Sequence, residues 1–306
     1  MNNQQSDKLN YFTERLLSQL EKKMEVTDKT FGFEFEFLPL NIINMNMMEK
    51  LYKLLPELGF AANDGQFRAS NGLFITFEPG GQIEYGSSPL YANDHELFNE
   101  LLMQINETNS HIYKKFNIQY IPTSFLPDRG NAPLCLQSYR YKNLHRRMAF
   151  SGTKGREMMK GTASIHLHAS FKTFEELLII YKILFMLSKS EAFAMSSRRR
   201  DIWDNTDPSR CGMPSINLSQ INDARELIKK IVHHALCAEY LYKDIPFYEV
   251  DDITFDDFCI HLTSIFTDVR LNMKGPTVEL RTLDSLPVSI FADKWNLFIS
   301  TVEQLS

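Results

Sequence analysis

The chain has 306 residues, 43% of them hydrophobic and 23% charged, with a formal net charge of −5. That is ordinary for a soluble globular protein with a large core, and the mild acidity gives no reason to expect a nucleic-acid or membrane-surface partner. Cys135, Cys211, Cys237 and Cys259 lack metal-finger or CxxC spacing, "MNNQQSDKLNYF" has no signal-peptide apolar core, and apolar runs such as "LLIIYKILFML" are too short to span a bilayer, so reduced thiols and a cytoplasmic location are expected.

Leu9, Phe12, Leu16, Leu17 and Leu20 recur at helical spacing and predict an amphipathic helix within residues 1–28. Residues 31–38 alternate as a strand does, and Pro39 ends them. A helix is expected over 43–57. Residues 71–90 read as two strands broken by Pro79-Gly80-Gly81, a hairpin-like signal. A helix over 92–115, a short strand within 118–125 and a loop over 127–137 follow. "TASIHLHASF" (162–171) alternates cleanly as a strand and precedes a long helix, 173–195. Residues 196–216 read as an irregular, charge-rich loop. A helix at 219–242, a mixed segment at 259–271, a strand at 277–283 and a helix from about 289 complete the chain. With no repeat or clear linker, a single domain over 1–306 is expected. Strands separated by long helices, several in hairpin-like pairs, predict an α+β fold. Neither GxGxxG nor GxxxxGK[ST] occurs, so both common phosphate loops are excluded.

The charged residues on predicted strands repeat one device. Glu34 and Glu36 lie two apart in "FGFEFEF", as do His166 with His168 and Glu279 with Arg281; Glu78 and Glu84 flank the glycine-rich turn. Residues two apart share a strand face, so these groups can converge on one side of a sheet. Any one pair alone fits a solvated strand face or a pair of satisfied sheet histidines just as well; four occurrences favour a site. Clustered carboxylates repel, and the cheapest compensation is a divalent cation. Neutralising Glu34 or Glu279 is therefore expected to stabilise the metal-free protein. Hard oxygen donors with imidazole suit Mg²⁺ or Mn²⁺ over zinc, and Mg²⁺ so held usually also binds nucleotide phosphates. Arg281 beside Glu279 suits a transferring phosphoryl group. Lys154, Arg156 and Lys160 lie in a Gly-punctuated basic loop ahead of the histidine strand, which either reaches phosphates or is a plain surface loop.

The segments "GFEFEF", "FEPGGQIEYGSSPL", "YRYKNLHRRM", "GREMMKGTASIHLHASF", "SSRRRDIWDNTDPSRCGM", "HLTSIFTDVRL" and "VELRTLD" together resemble glutamate–cysteine ligases of the plant and proteobacterial type, within the glutamine synthetase-like carboxylate–amine ligases. The resemblance implies ATP-dependent joining of the glutamate γ-carboxylate to the amine of cysteine, through an acyl phosphate. It implies a glutamine synthetase-like catalytic fold: a curved antiparallel sheet of about six strands, helices on its outer face, and a catalytic core over 29–288. Glu34, Glu36, Glu78, Glu84, His166 and Glu279 match metal positions. His168, Ser170 and Arg281 match nucleotide contacts, with Lys154 of the basic loop as a further cofactor-binding candidate, and Arg199, Trp203 and Arg210 match the loop around the amino-acid substrate. Arg281, Glu34 and Glu279 are the implied catalytic set, with ATP and Mg²⁺ (or Mn²⁺) as cofactors and small molecules as the partners. The strand "SIHLHAS" is closer to glutamine synthetases than to plant enzymes, and the chain ends sooner after Asp284 than the family usually does. A different amine acceptor and a catalytically inactive regulatory homologue are the rival readings.

Overall fold

A computed structural model of the chain describes residues 3–24, 28–63, 65–150, 152, 154–212, 216–272 and 275–306. Residues 1, 2 and 25–27 of the expected N-terminal segment and 213–215 of the expected loop lie outside the described residues. The elements in chain order are α1 (Asn3–Glu21), β1 (Phe31–Pro39), α2 (Met45–Glu57), β2 (Ala61–Asn63), β3 (Gln66–Arg68), β4 (Phe74–Phe77), β5 (Ile83–Gly86), α3 (His95–Phe116) and β6 (Tyr120–Ile121). Then come α4 (Tyr139–Phe150), α5 (Gly155–Gly161), β7 (Ser164–Ser170), α6 (Phe174–Leu187), α7 (Ser197–Asp204), β8 (Cys211–Gly212), α8 (Ala224–Cys237), α9 (Phe255–Leu262), β9 (Phe266–Thr267), β10 (Val269–Asn272), β11 (Thr277–Asp284) and α10 (Val288–Leu305).

The fold is α+β. Among the described residues one open sheet holds nine strands in the order β10-β11-β7-β1-β5-β4-β3-β2, with β6 also pairing β1, and all of its pairings are antiparallel. The expected count of about six falls short because β2 and β3 are only three residues long, too short to leave an alternating pattern, and β10 lay within the segment read as mixed. Three other expectations need correction. Residues 197–204 form a helix capped by Ser196, whose side chain accepts from Arg199 N; its surface charges masked any apolar period. Residues 139–150 and 155–161 are helices too, and the mixed segment splits into α9 and two strands. Helix α9 starts with a capping box between Thr254 and Asp257.

Alternation along β1 sets the two faces of the sheet. Phe31, Phe33, Phe35 and Phe37 are buried. Phe33 meets Phe98 of α3 and Phe291 and Trp295 of α10 edge-on, with centroids 5.3–5.9 Å apart. Helix α6 packs against β11, α8 on α6, and α1 on α8. The opposite face carries Glu34 and Glu36. A second, smaller core of Leu144, Met148, Met158, Met159, Ile202 and Trp203 joins α4, α5 and α7. Leu144, Met158, Met159 and Trp203 line the cavity shared with Glu34 and Glu36, so this layer stands over the acidic face.

Candidate active site

Register assembles the site. Antiparallel pairing sets Glu34 opposite His166 on one side and Gly86 on the other, Glu36 opposite Glu84, and His168 opposite both Gly32 and Glu279. Arg270 of β10 lies opposite Glu279. Between Leu280 and Leu283 the β11–β7 register slips by one residue, and Arg281 N donates instead to Asp268 O at 2.9 Å. Such a bulge re-aims side chains beside a site. The β4–β5 turn is equally constrained: a Cβ on Gly80 would lie 2.7 Å from the Lys160 backbone, so only glycine lets α5 approach there.

The hydrogen bonds are specific. His166 Nδ1 lies 2.7 Å from Glu34 Oε2, and its Nε2 lies 2.9 Å from Ser164 Oγ. Glu36 accepts from Ser164 N at 2.7 Å and faces Ser164 Oγ at 3.1 Å. The single hydroxyl proton can serve either Glu36 or His166, not both. Glu84 accepts from Thr76 Oγ1 at 2.7 Å. Glu279, 1% exposed, accepts from Arg270 at 2.8 Å and from Arg281 at 2.9 Å.

These partners split the carboxylates. Burial opposes ionisation of Glu34, but His166, His168 and Arg281 outweigh it and hold that carboxyl well below the usual range. Burial opposes ionisation of Glu279 as well, and Arg270, His168 and Arg281 prevail, keeping it low. Glu78 goes the other way: burial, then Glu36 and Glu34, push it up to about 8. Burial, Glu34 and Glu78 likewise raise Glu84 well above the carboxylate range. The expectation that neutralising Glu34 or Glu279 stabilises the metal-free protein is therefore overturned. Repulsion falls on Glu78 and Glu84, while Glu34 and Glu279 are held by cations. Burial and Arg281 lower the His166 pKa against the pull of Glu34 and Glu36, which favours the neutral, ligating imidazole.

Glu34, Glu84 and His166 each offer one ligand atom, all within 4.8 Å of one another. The cavity around them, about 280 Å³, is lined by five carboxylates against three guanidinium groups, those of Arg140, Arg270 and Arg281. With every group ionised, two negative charges go uncompensated, the charge of one divalent cation. Buried His168 Nε2 has no hydrogen-bond partner and lies 3.8 Å from Glu34 Oε1. A donor set of hard oxygens and neutral imidazole with an orphaned nitrogen beside it fits a cation of the Mg²⁺ class. A second cavity of about 670 Å³ abuts the same cluster, sharing Glu34, Glu78, Glu84, Tyr141 and Asn272, and it is lined also by His168 and Arg68.

Not every expected residue reaches the cavities. Trp203 lines the first and donates Nε1 to Phe266 O at 3.0 Å. Arg199 is fully buried and spent inside the protein: its guanidinium donates to Thr282 O, Arg281 O and Asp284 Oδ1 at 2.7–3.1 Å, bracing β11. Arg210 is equally consumed by Asp207, Ser264 and Glu239 O. Lys154 pairs with Asp201, and Lys160 Nζ donates to Ala132 O at 2.7 Å. Ser170 Oγ accepts from Thr30 N at 2.7 Å and lines neither cavity. The sequence reading missed Arg140, Arg270 and Tyr141. Arg270 had a signal, since it alternates with Asp268 in "TDVRL" just ahead of the glutamate strand; Arg140 lay in a helix whose apolar period is weak.

No family model matches the chain. It is 26% identical over 273 residues to a chloroplastic glutamate–cysteine ligase of Solanum lycopersicum, covering 73% of this chain and 50% of that protein. The corresponding protein of Medicago truncatula is also 26% identical over 273 residues, and that of Arabidopsis thaliana is 27% identical over 255 residues, 70% of this chain and 46% of that one. The chain is thus distantly similar to plant glutamate–cysteine ligases, and it spans about half the length of the curated relatives it matches. No helix among the described residues is long and apolar enough to cross a membrane.

Proposed function

We propose that this chain is an ATP- and Mg²⁺-dependent ligase that joins the glutamate γ-carboxylate to the amine of cysteine through an acyl phosphate, acting as a glutamate–cysteine ligase. The observation that carries the reading is the cavity in which five carboxylates face three guanidinium groups, in a chain similar to such ligases. A carboxylate is a poor acyl donor because its leaving group is oxide. Transfer of the ATP γ-phosphoryl group to it leaves ADP and an acyl phosphate; the amine then displaces phosphate and an amide forms.

Glu34, Glu84 and His166 would hold the cation, with Glu36, Glu78 and Glu279 around it. The cation would supply charge neutralisation on the phosphoryl oxygens. Arg281 aims its guanidinium into the cavity, held by Glu279, and its buried Nε has no protein acceptor. A planar fork so fixed can take two phosphoryl oxygens at once. Glu279 tethers Arg270 and Arg281 together, so it orients both arginines. With Arg199 and Arg210 committed elsewhere, the α-carboxylate of glutamate falls to Arg140, which lines the cavity together with Trp203 and donates to a backbone carbonyl, Thr263 O, at 3.2 Å. Localisation in the cytoplasm and small-molecule partners alone belong to the same proposal.

ADP release with glutamate and cysteine tests the reading. Turnover with cysteine supports it. Turnover with a larger amine but not with cysteine moves the acceptor. Nucleotide binding without turnover on any amine would make the chain an inactive homologue.

A further inference from the structure

The second cavity holds an arginine that the catalytic reading leaves unused. Phe74 lines the cavity, and its ring lies directly over Gly86, where a Cβ would be 2.0 Å from the ring. The Arg68 guanidinium rests over that ring, 5.0 Å from its centroid. It donates to Ser88 Oγ at 3.2 Å and to Gln66 Oε1 at 3.4 Å, both neutral acceptors. Among the described residues no carboxylate forms an ion pair with it, whereas Arg270 and Arg281 both hold Glu279. A cation fixed by stacking and two neutral acceptors at a cavity wall keeps N–H donors for a ligand.

The sheet sets the reach. Arg68 pairs with Phe74 on β4, and Glu84 on β5 pairs with Thr76. Two strand spacings and two residues along the strand separate them, a diagonal of about 12 Å. That is the distance between the phosphates and the base of an extended nucleotide.

We propose that Arg68, seated on Phe74 and Gln66, binds the base of the nucleotide whose phosphates lie at the carboxylate cluster. This rests on the ligase reading only for where the phosphates lie. The guanidinium offers N–H donors to ring nitrogens and a flat face for stacking, a pairing that inorganic polyphosphate cannot make.

Binding of Mg-ADP and Mg-tripolyphosphate to the parent, Arg68→Ala and Arg68→Lys proteins separates the contributions. The expected result is roughly 10-fold or greater weakening of ADP by either substitution, with tripolyphosphate unchanged and melting temperatures close to the parent's. ADP binding equal to the parent's in both variants overturns the proposal, as does equal loss of ADP and tripolyphosphate, which would place Arg68 on phosphate. If Arg68→Ala unfolds, the Lys variant still decides, because lysine keeps the charge and loses the planar fork. The readout is binding, so it is separate from turnover: a protein that binds ADP through Arg68 yet ligates nothing refutes the ligase reading and leaves this inference standing.

Discussion

Substituting Glu78 by glutamine should stabilise the cation-free protein at alkaline pH and change it little near pH 5. Glutamine imitates the protonated carboxyl at every pH. Burial, Glu36 and Glu34 raise the Glu78 pKa from the ordinary 4.5 to about 8. Below pH 4.5 the folded and unfolded chains both carry the proton, and the group adds nothing to the pH dependence. Between 4.5 and 8 the unfolded chain ionises while the folded one keeps its proton, so stability falls as pH rises. Above about 8 the folded carboxyl ionises too and the loss is complete. One pKa unit is worth about 1.4 kcal/mol; Glu78 is only partly buried, which brings the loss to about 2–4 kcal/mol. For a chain of this length that is ~3–6 °C in melting temperature. Melting curves in chelator from pH 5 to 9 should coincide for parent and Glu78→Gln at the acid end and part toward pH 8, and excess Mg²⁺ at pH 8 should raise the parent more than the variant. Curves that stay parallel across the range, or a variant that melts lower at pH 8, would show that the carboxylates do not repel.

Glu279→Gln should act oppositely, costing about 3–5 kcal/mol in chelator at neutral pH because buried Arg281 and partly buried Arg270 lose their counter-charge; chemical denaturation measures it, and a neutral result refutes the pairing. Arg281→Lys should keep nucleotide affinity within about tenfold and lower turnover by about 10²–10³, read from binding and steady-state rates side by side. Arg199→Ala should lower the melting temperature without changing KM for glutamate in the protein that remains folded, since its donors go to β11 and Asp284; a raised KM at unchanged stability would return Arg199 to the substrate. Glu84→Gln should weaken Mn²⁺ binding by more than tenfold in calorimetry, while Ser170→Ala leaves it unchanged.

Local pattern alone determined much of this protein. The period of two in "FGFEFEF" and "SIHLHASF" set strands whose alternate residues face opposite ways, and so placed Glu34 with Glu36 on one strand face and His166 with His168 on another. The Pro79-Gly80-Gly81 break located the turn between Glu78 and Glu84. The spacing of apolar residues located α1, α2, α3 and α10, and of these α3 and α10 bring Phe98, Phe291 and Trp295 against the phenylalanine face. Tertiary structure decided what each charge does. Strand order and register are long-range choices, and they brought Arg270 opposite Glu279 and the β11 bulge to Arg281. A carboxylate's acidity depends on which charges lie within a few ångströms in a poorly screened interior. Spacing along the chain therefore could not reveal that Glu34 and Glu279 are held ionised while Glu78 and Glu84 are driven toward their protons. The same holds for the arginines. Arg199, Arg210, Arg140 and Arg68 look alike in a sequence, and only the packed chain shows that the first two are spent on carbonyls, carboxylates and a hydroxyl inside the protein while the last two open onto the cavities.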